Sequence, residues 1–210
     1  MRNNPGLSLA LKKPYGRDLV YSALISDPDR HMLNHRMISA DEHVHMDRNL
    51  ANFVEEMNNP LTPNTPASAE QLEELKTLML RRLKHNWNLA EAGHKLYQPT
   101  AWLQRYVTMG DCQETIANIK AIDPKAMRAK LDSYPSLTDA QKAQAVAQLV
   151  AKRRILPKVM EEFLDWIKTN PPAPNDWAVP VSPVLIAPPP QVSVVLPWLY
   201  PVVFEFARAA

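Results

Sequence analysis

The sequence predicts an all-α, multi-helix fold that ends in a proline-rich, extended C-terminal arm. Three observations carry this. Apolar residues recur at helical spacing through most of the first 170 residues, and the runs open on serine, threonine or aspartate caps. Glycine, which sheets and phosphate loops use for tight turns and close backbone approach, occurs only four times in 210 residues. Ten of the 20 prolines fall in residues 171–210, where only Asp176, Glu205 and Arg208 are charged.

Taken in order, Asp27-Pro28 reads as a cap followed by proline at the first helical position, where its missing amide costs nothing. Ser39 and Glu42 have the spacing of a capping box, so a helix is predicted from there to about Met57, with Leu50, Phe53, Val54 and Met57 in helical register. Residues 1–57 are thus assigned to an N-terminal helical region. Residues 58–67, rich in proline and asparagine, read as a linker. Ser68 with Gln71 opens the next helix, in which Leu72, Leu75, Met79 and Leu83 share one apolar face. Asp111 with Glu114 fits another capping box, and short helices are expected over 112–122 and 124–133. Thr138 with Gln141 starts a longer helix through Lys152. Pro157 is expected to kink or restart it, with Met160, Phe163, Leu164 and Ile167 packing inward over 158–169. The helices of 111–170 form the C-terminal part of the body. The arm, 171–210, cannot be one continuous helix and is too apolar for an ordinary disordered tail, so it is expected to pack on its own body or on another subunit.

Composition excludes several classes. Neither GxGxxG nor GxxxxGK[ST] is present, which argues against a classical nucleotide-binding fold. The formal charge of +2 favours no partner by itself. The single cysteine, Cys112, permits no internal disulfide and suits a reducing compartment. No secretory h-region and no long proline-free apolar run are seen, so the expectation is a cytoplasmic protein without a membrane span.

The strongest pointer to a partner is the stretch Leu83–Val107, which reads as a helix-turn-helix. A short first helix is predicted from Leu89 to Leu96, a tight connection at Tyr97–Pro99, and a second helix from Thr100. Ala92 and Gly93 are small enough for a close crossing; Leu89, Leu96, Leu103 and Val107 supply apolar anchors. Thr100, Gln104 and Arg105 would face DNA, where arginine pairs with guanine and glutamine with adenine through two bonds each. Between Lys76 and Met109 six cations (Lys76, Arg81, Arg82, Lys84, Lys95 and Arg105) face one acid, Glu91, a local charge of +5. Such a patch neutralises phosphates and releases counterions. The expected DNA-contacting set is Arg81, Arg82, Lys84, Lys95, Thr100, Gln104 and Arg105. The competing reading is an ordinary helical hairpin.

Asn88, Ala92-Gly93, Leu96 and Leu103 resemble the helix-turn-helix of the Fis and NtrC class of bacterial DNA-binding proteins, over residues 68–110. Tyr97 stands where that class usually has a turn glycine, and Trp102 where threonine is common. The ParB class of partition proteins contains a related motif. The resemblance implies double-stranded DNA as partner and binding as a homodimer. It fits a transcriptional regulator or a plasmid or phage replication or partition factor, with no catalysis and no cofactor.

Two other classes are weighed. A helical protein–protein adaptor would use the arm, with the Trp198–Tyr200 and Phe204–Phe206 pairs as anchors. A metal-dependent hydrolase would use His31, His35, His43 and His45, which lie within fifteen residues, with Asp41 and Glu42 among them and Asp47 just beyond. His31 and His35 are spaced to share a helical face, but HExxH is absent. His43 and His45 are about 200° apart on a helix and cannot easily grip one ion there. The plainer reading is a polar helix surface. Cys112 is read as a small core residue, and Lys152-Arg153-Arg154 as a solvated basic run late in a helix.

Overall fold

The computed structural model describes residues 12–27, 35–37, 43–45, 54–92, 101 and 104–170. Among them the fold is all-α. Five helices, α1 (Lys12–Ile25), α2 (Ala69–Glu91), α3 (Met109–Ala121), α4 (Pro124–Asp132) and α5 (Asp139–Thr169), are joined by one small antiparallel ribbon, β1 (His35–Met37) and β2 (His43–His45). No helix among the described residues is long and apolar enough to cross a membrane. The predicted arm, 171–210, lies outside the described residues.

Nothing in the sequence pattern announces α1, yet it is the centre of the body. Tyr15, Gly16 and every residue from Asp18 to Ile25 are buried, so no polar face remains to mark the helix by its periodicity. It packs against α2, α3 and α5. The closest approach is at Gly16, where an added Cβ would come within 2.7 Å of the Asp111 carbonyl oxygen. Beside it the Cys112 thiol lies 3.8 Å from the Gly16 carbonyl oxygen. Cys112 is fully buried, and its thiol pKa is pushed up to about 12, first by desolvation and then by the Asp111 charge. It is a core residue, as its size suggests, and its environment opposes the thiolate.

The N-termini of α2 and α5 follow directly from the chain. Ser68 accepts from the Gln71 amide and Gln71 returns a bond to the Ser68 amide; Thr138 and Gln141 do the same at α5. Asp123 caps α4 with Pro124 inside its first turn. At α3 the cap differs from the predicted one. The amide and hydroxyl of Thr108 both donate to Asp111, so the helix begins at Met109 and the Asp111–Glu114 box is not its start.

Helix α5 runs unbroken through Pro157. The proline does not restart the helix, although it removes one backbone bond at a cost of about 3 kcal/mol. Burial of Ile155, Leu156, Val159 and Met160 on either side holds the helix together. The inward set predicted further along, Met160, Phe163, Leu164 and Ile167, is buried. The loop before α2 is fastened to it: Glu74 accepts from the Asn58 and Asn59 amides, Gln71 donates to the Pro60 carbonyl, and Leu61 is buried.

The helix predicted from Ser39 to Met57 is contradicted where its residues are described. Residues 43–45 pair as a strand with 35–37, and 54–57 are non-helical. Cross-strand pairing overrides a capping-box signal that spans only four residues. The register sets His35 opposite His45 and Met37 opposite His43. Positions 43 and 45 therefore fall on the same face of a strand, and the helical separation expected of them does not apply.

Replacing Gly16 by alanine forces a methyl group into the Asp111 backbone. We expect a loss of about 1–3 kcal/mol in unfolding free energy, read by urea denaturation; unchanged stability would contradict the close α1–α3 crossing. Cys112 is expected to react with a thiol reagent only in denaturant.

Candidate nucleic-acid interface

Helix α2 is continuous from Ala69 to Glu91, with Ala92 as its C-cap. Leu89 accordingly lies in the last turn of a long helix and does not open a short one. This corrects the predicted first helix of the helix-turn-helix, which was to start at Leu89 and carry Ala92 in its middle. Leu75, Met79, Leu83 and Trp87 recur every fourth residue on the inner face and are all fully buried. Trp87 packs edge-on against Trp166 of α5 at 5.7 Å between ring centroids. The amphipathic pattern thus extends past Lys84, and tertiary burial of Trp87 carries the helix on.

The outer face of α2 exposes Arg81, His85 and Asn88. Lys84, one turn from Arg81, holds its ammonium 4.8 Å from the centroid of the Trp166 ring. From Leu75 to Ala90 this helix carries four cations and no carboxylate. Two of the cations have acidic neighbours from elsewhere. Lys76 pairs with Glu73 and Glu162 at 2.8 and 3.0 Å, and Arg82 is half-buried with its Nε 3.9 Å from Glu55. The solvent-facing positive charge on α2 is therefore smaller than the residue count suggests, and it centres on Arg81 and Lys84.

Gln104 does not sit on the surface. It is 2% exposed, and its Oε1 has no hydrogen-bond partner among the described residues. This overturns its assignment as a base-reading residue open to solvent. Arg105, its neighbour, is exposed, with its guanidinium 5.8 Å from the Tyr106 ring centroid. Val107 is buried, but 105 and 106 form a turn and 107 is non-helical, so it is not the second-helix anchor that the spacing predicts. Lys95, Thr100, the Tyr97–Pro99 turn and Leu103 lie outside the described residues.

A buried polar cluster went unread in the sequence. Lys152 is in the middle of α5, not near its end, and is fully buried. Its ammonium donates to the Leu24 carbonyl at 2.9 Å and to the Ser26 hydroxyl at 3.0 Å. Gln148, one turn earlier, donates to the Glu55 carbonyl at 3.1 Å. Glu55 is 3% exposed, and its Oε1 has no hydrogen-bond partner among the described residues. Burial pushes the Lys152 pKa down to about 8; Glu55 opposes that shift and Arg82 adds to it. The run read as a solvated basic patch divides three ways. Lys152 is internal, Arg153 donates to the Ile122 carbonyl at 2.6 Å, and Arg154 alone is exposed.

Of the histidines considered as metal ligands, His35, His43 and His45 belong to the ribbon and His31 lies outside the described residues. Among the described residues no group of three histidine, cysteine or acidic side chains is arranged to hold an ion. Comparison of the chain with protein-family models, with curated proteins and with solved structures gives no match.

The Lys152 ammonium sheds its proton in the folded state near pH 8, whereas in the unfolded chain it keeps it to about 10.5. Across that window the unfolded state binds more protons, so this group makes stability rise with pH. Cys112, whose pKa is raised, acts in the opposite sense above pH 9. The Lys152 contribution is therefore read as a difference. Relative to Lys152→Met, the wild type is expected to gain on the order of 3 kcal/mol between pH 8 and 10.5. Parallel stability curves for the two proteins would contradict the burial of a charged lysine.

Proposed function

We propose that the chain is a helical DNA-binding protein that contacts the duplex through the outer face of α2 and the segment around Arg105. The observation that supports this most is the absence of any carboxylate on α2 between Glu74 and Glu91, where Arg81 is exposed and Lys84 lies over an indole. A phosphate backbone is the polyanion that such a stripe suits. The resemblance of residues 68–110 to a Fis-type module supports the same reading and suggests a homodimer acting in transcription, replication or partition. With Gln104 turned inward, base reading falls to Arg105 and to the second-helix residues that lie outside the described part. Arg81 and Lys84 take phosphates.

Fluorescence anisotropy with a labelled duplex of random sequence at 50 mM salt tests the proposal. The wild type is expected to bind with an affinity that falls as salt rises. Arg81→Ala should weaken binding to all sequences about equally and lower the magnitude of the log–log salt slope by about 1. No binding at low salt, or an unchanged slope in Arg81→Ala, would remove the interface proposed.

A further inference from the structure

Helix α5 has a second apolar face that the core covers only in part, with Val146 and Ala147 half-buried against it. Ala143, Val146, Ala147 and Val150 follow the i, i+3, i+4, i+7 pattern on its outer side, and Val150 is 40% exposed. This stripe floors a cleft of about 670 Å³, closed on one side by α4 and on the other by the loop that carries Leu61 and Pro66. Its rim is cationic. Lys125, Arg128 and Arg154 line it against a single acid, Asp132. Arg128 is already held by Asp132 and Asp139 at 2.9 and 2.8 Å, which leaves Lys125 and Arg154 to face an incoming group.

We infer that this cleft is the seat of the chain's own C-terminal arm, residues 180–200, bound in cis. Three observations point to that occupant. The arm follows Asn170, the C-cap of α5, directly. From there back to Val150 is 20 helical residues, about 30 Å, a distance that about ten residues of extended, proline-rich chain span at 3.1 Å each. Residues from about 180 onward therefore reach the cleft without a second molecule. The reachable stretch is also of the right kind. No residue from Trp177 to Phe204 is charged, and the stretch is rich in valine, leucine and proline, so it gains by leaving water. Finally, the charges agree in sign. With Arg128 held by Asp132 and Asp139, the cleft presents Lys125 and Arg154, while the arm carries Asp176 and Glu205, one on each side of the uncharged stretch, against Arg208. The stripe on α5 is apolar and half-open, and the arm is apolar in composition, so each can cover the other.

The test uses the full chain with a photo-reactive benzophenone side chain at position 150, followed by mass spectrometry of the cross-linked peptides. The arm in its cleft yields links from position 150 to residues 180–200 in a species of monomer mass. A second protein carries the benzophenone at position 196, with and without Ala147→Asp and Val146→Asp, and circular dichroism verifies that both forms are folded. Links from 196 to α5 are expected in the parent and a loss of at least fivefold in the charged variant. Links to the arm only in a dimer-mass species, no links to the arm, or links that persist undiminished in the charged variant would each overturn the inference.

Discussion

The structure depends on covering a helix that has no polar side. From Asp18 onward helix α1 is enclosed by α2, α3 and α5, so the backbone groups at its C-terminal end cannot turn to water. Its C-terminus meets this constraint in two ways. The chain reverses with Ser26 in the left-handed region, at φ 54°, so that the Asp27 and Ser26 amides donate to the carbonyls of Ser22 and Ala23. The carbonyl of Leu24 is met from outside by Lys152. A buried ammonium at that point also opposes the negative end of the helix dipole. Glycine is the usual residue for such a backbone. Serine bears the conformational cost here and provides the hydroxyl that Lys152 also bonds. One lysine thereby joins α5 to the end of α1, while Gln148 beside it ties residue 55 to the same stretch of α5.

This arrangement divides the molecule's polar residues by role. Lys152, Glu55 and Gln148 are committed to the interior, half-buried Arg82 lies beside Glu55, and Lys76 and Arg153 are held by neighbouring carboxylate or carbonyl groups. Two features of the described surface stand out, a sparse cationic stripe on α2 and a half-open apolar stripe on α5 with cations at its rim. The first is the surface proposed for DNA and the second the seat proposed for the arm. Both stand on long helices whose inner faces are anchored by large side chains, Trp87 and Trp166 in edge contact and Phe163 stacked on Trp166. Rigid helices of this kind hold their outer residues at fixed spacing, which a recognition surface requires.

Much of this architecture is written locally. The Ser68–Gln71 and Thr138–Gln141 boxes, the Asp123-Pro124 start, and the faces set by Leu75, Met79 and Leu83 or by Phe163, Leu164 and Ile167 are all readable from spacing alone, because one side of each helix meets water. Helix α1 was hidden for the opposite reason: burial all round erases the period. The strand at 43–45 escapes the local pattern because a four-residue capping signal competes with pairing to residues six to ten positions away. Lys152 and Gln104 show the remaining gap. Whether a polar side chain is internal depends on which helices close over it, and no local pattern carries that information. The cationic stripe was legible as residues, but its effective strength was not, since Glu162 and Glu55 reach Lys76 and Arg82 from distant parts of the chain.

The account stands on α1 being the last element to open. Native-state hydrogen exchange followed by mass spectrometry or NMR measures this directly. Amides of Leu19 to Ile25 are predicted to exchange only through global unfolding, with protection equal to the most stable turns of α5. Exchange of α1 by a lower-energy local opening, while α3 and α5 remain protected, would contradict it.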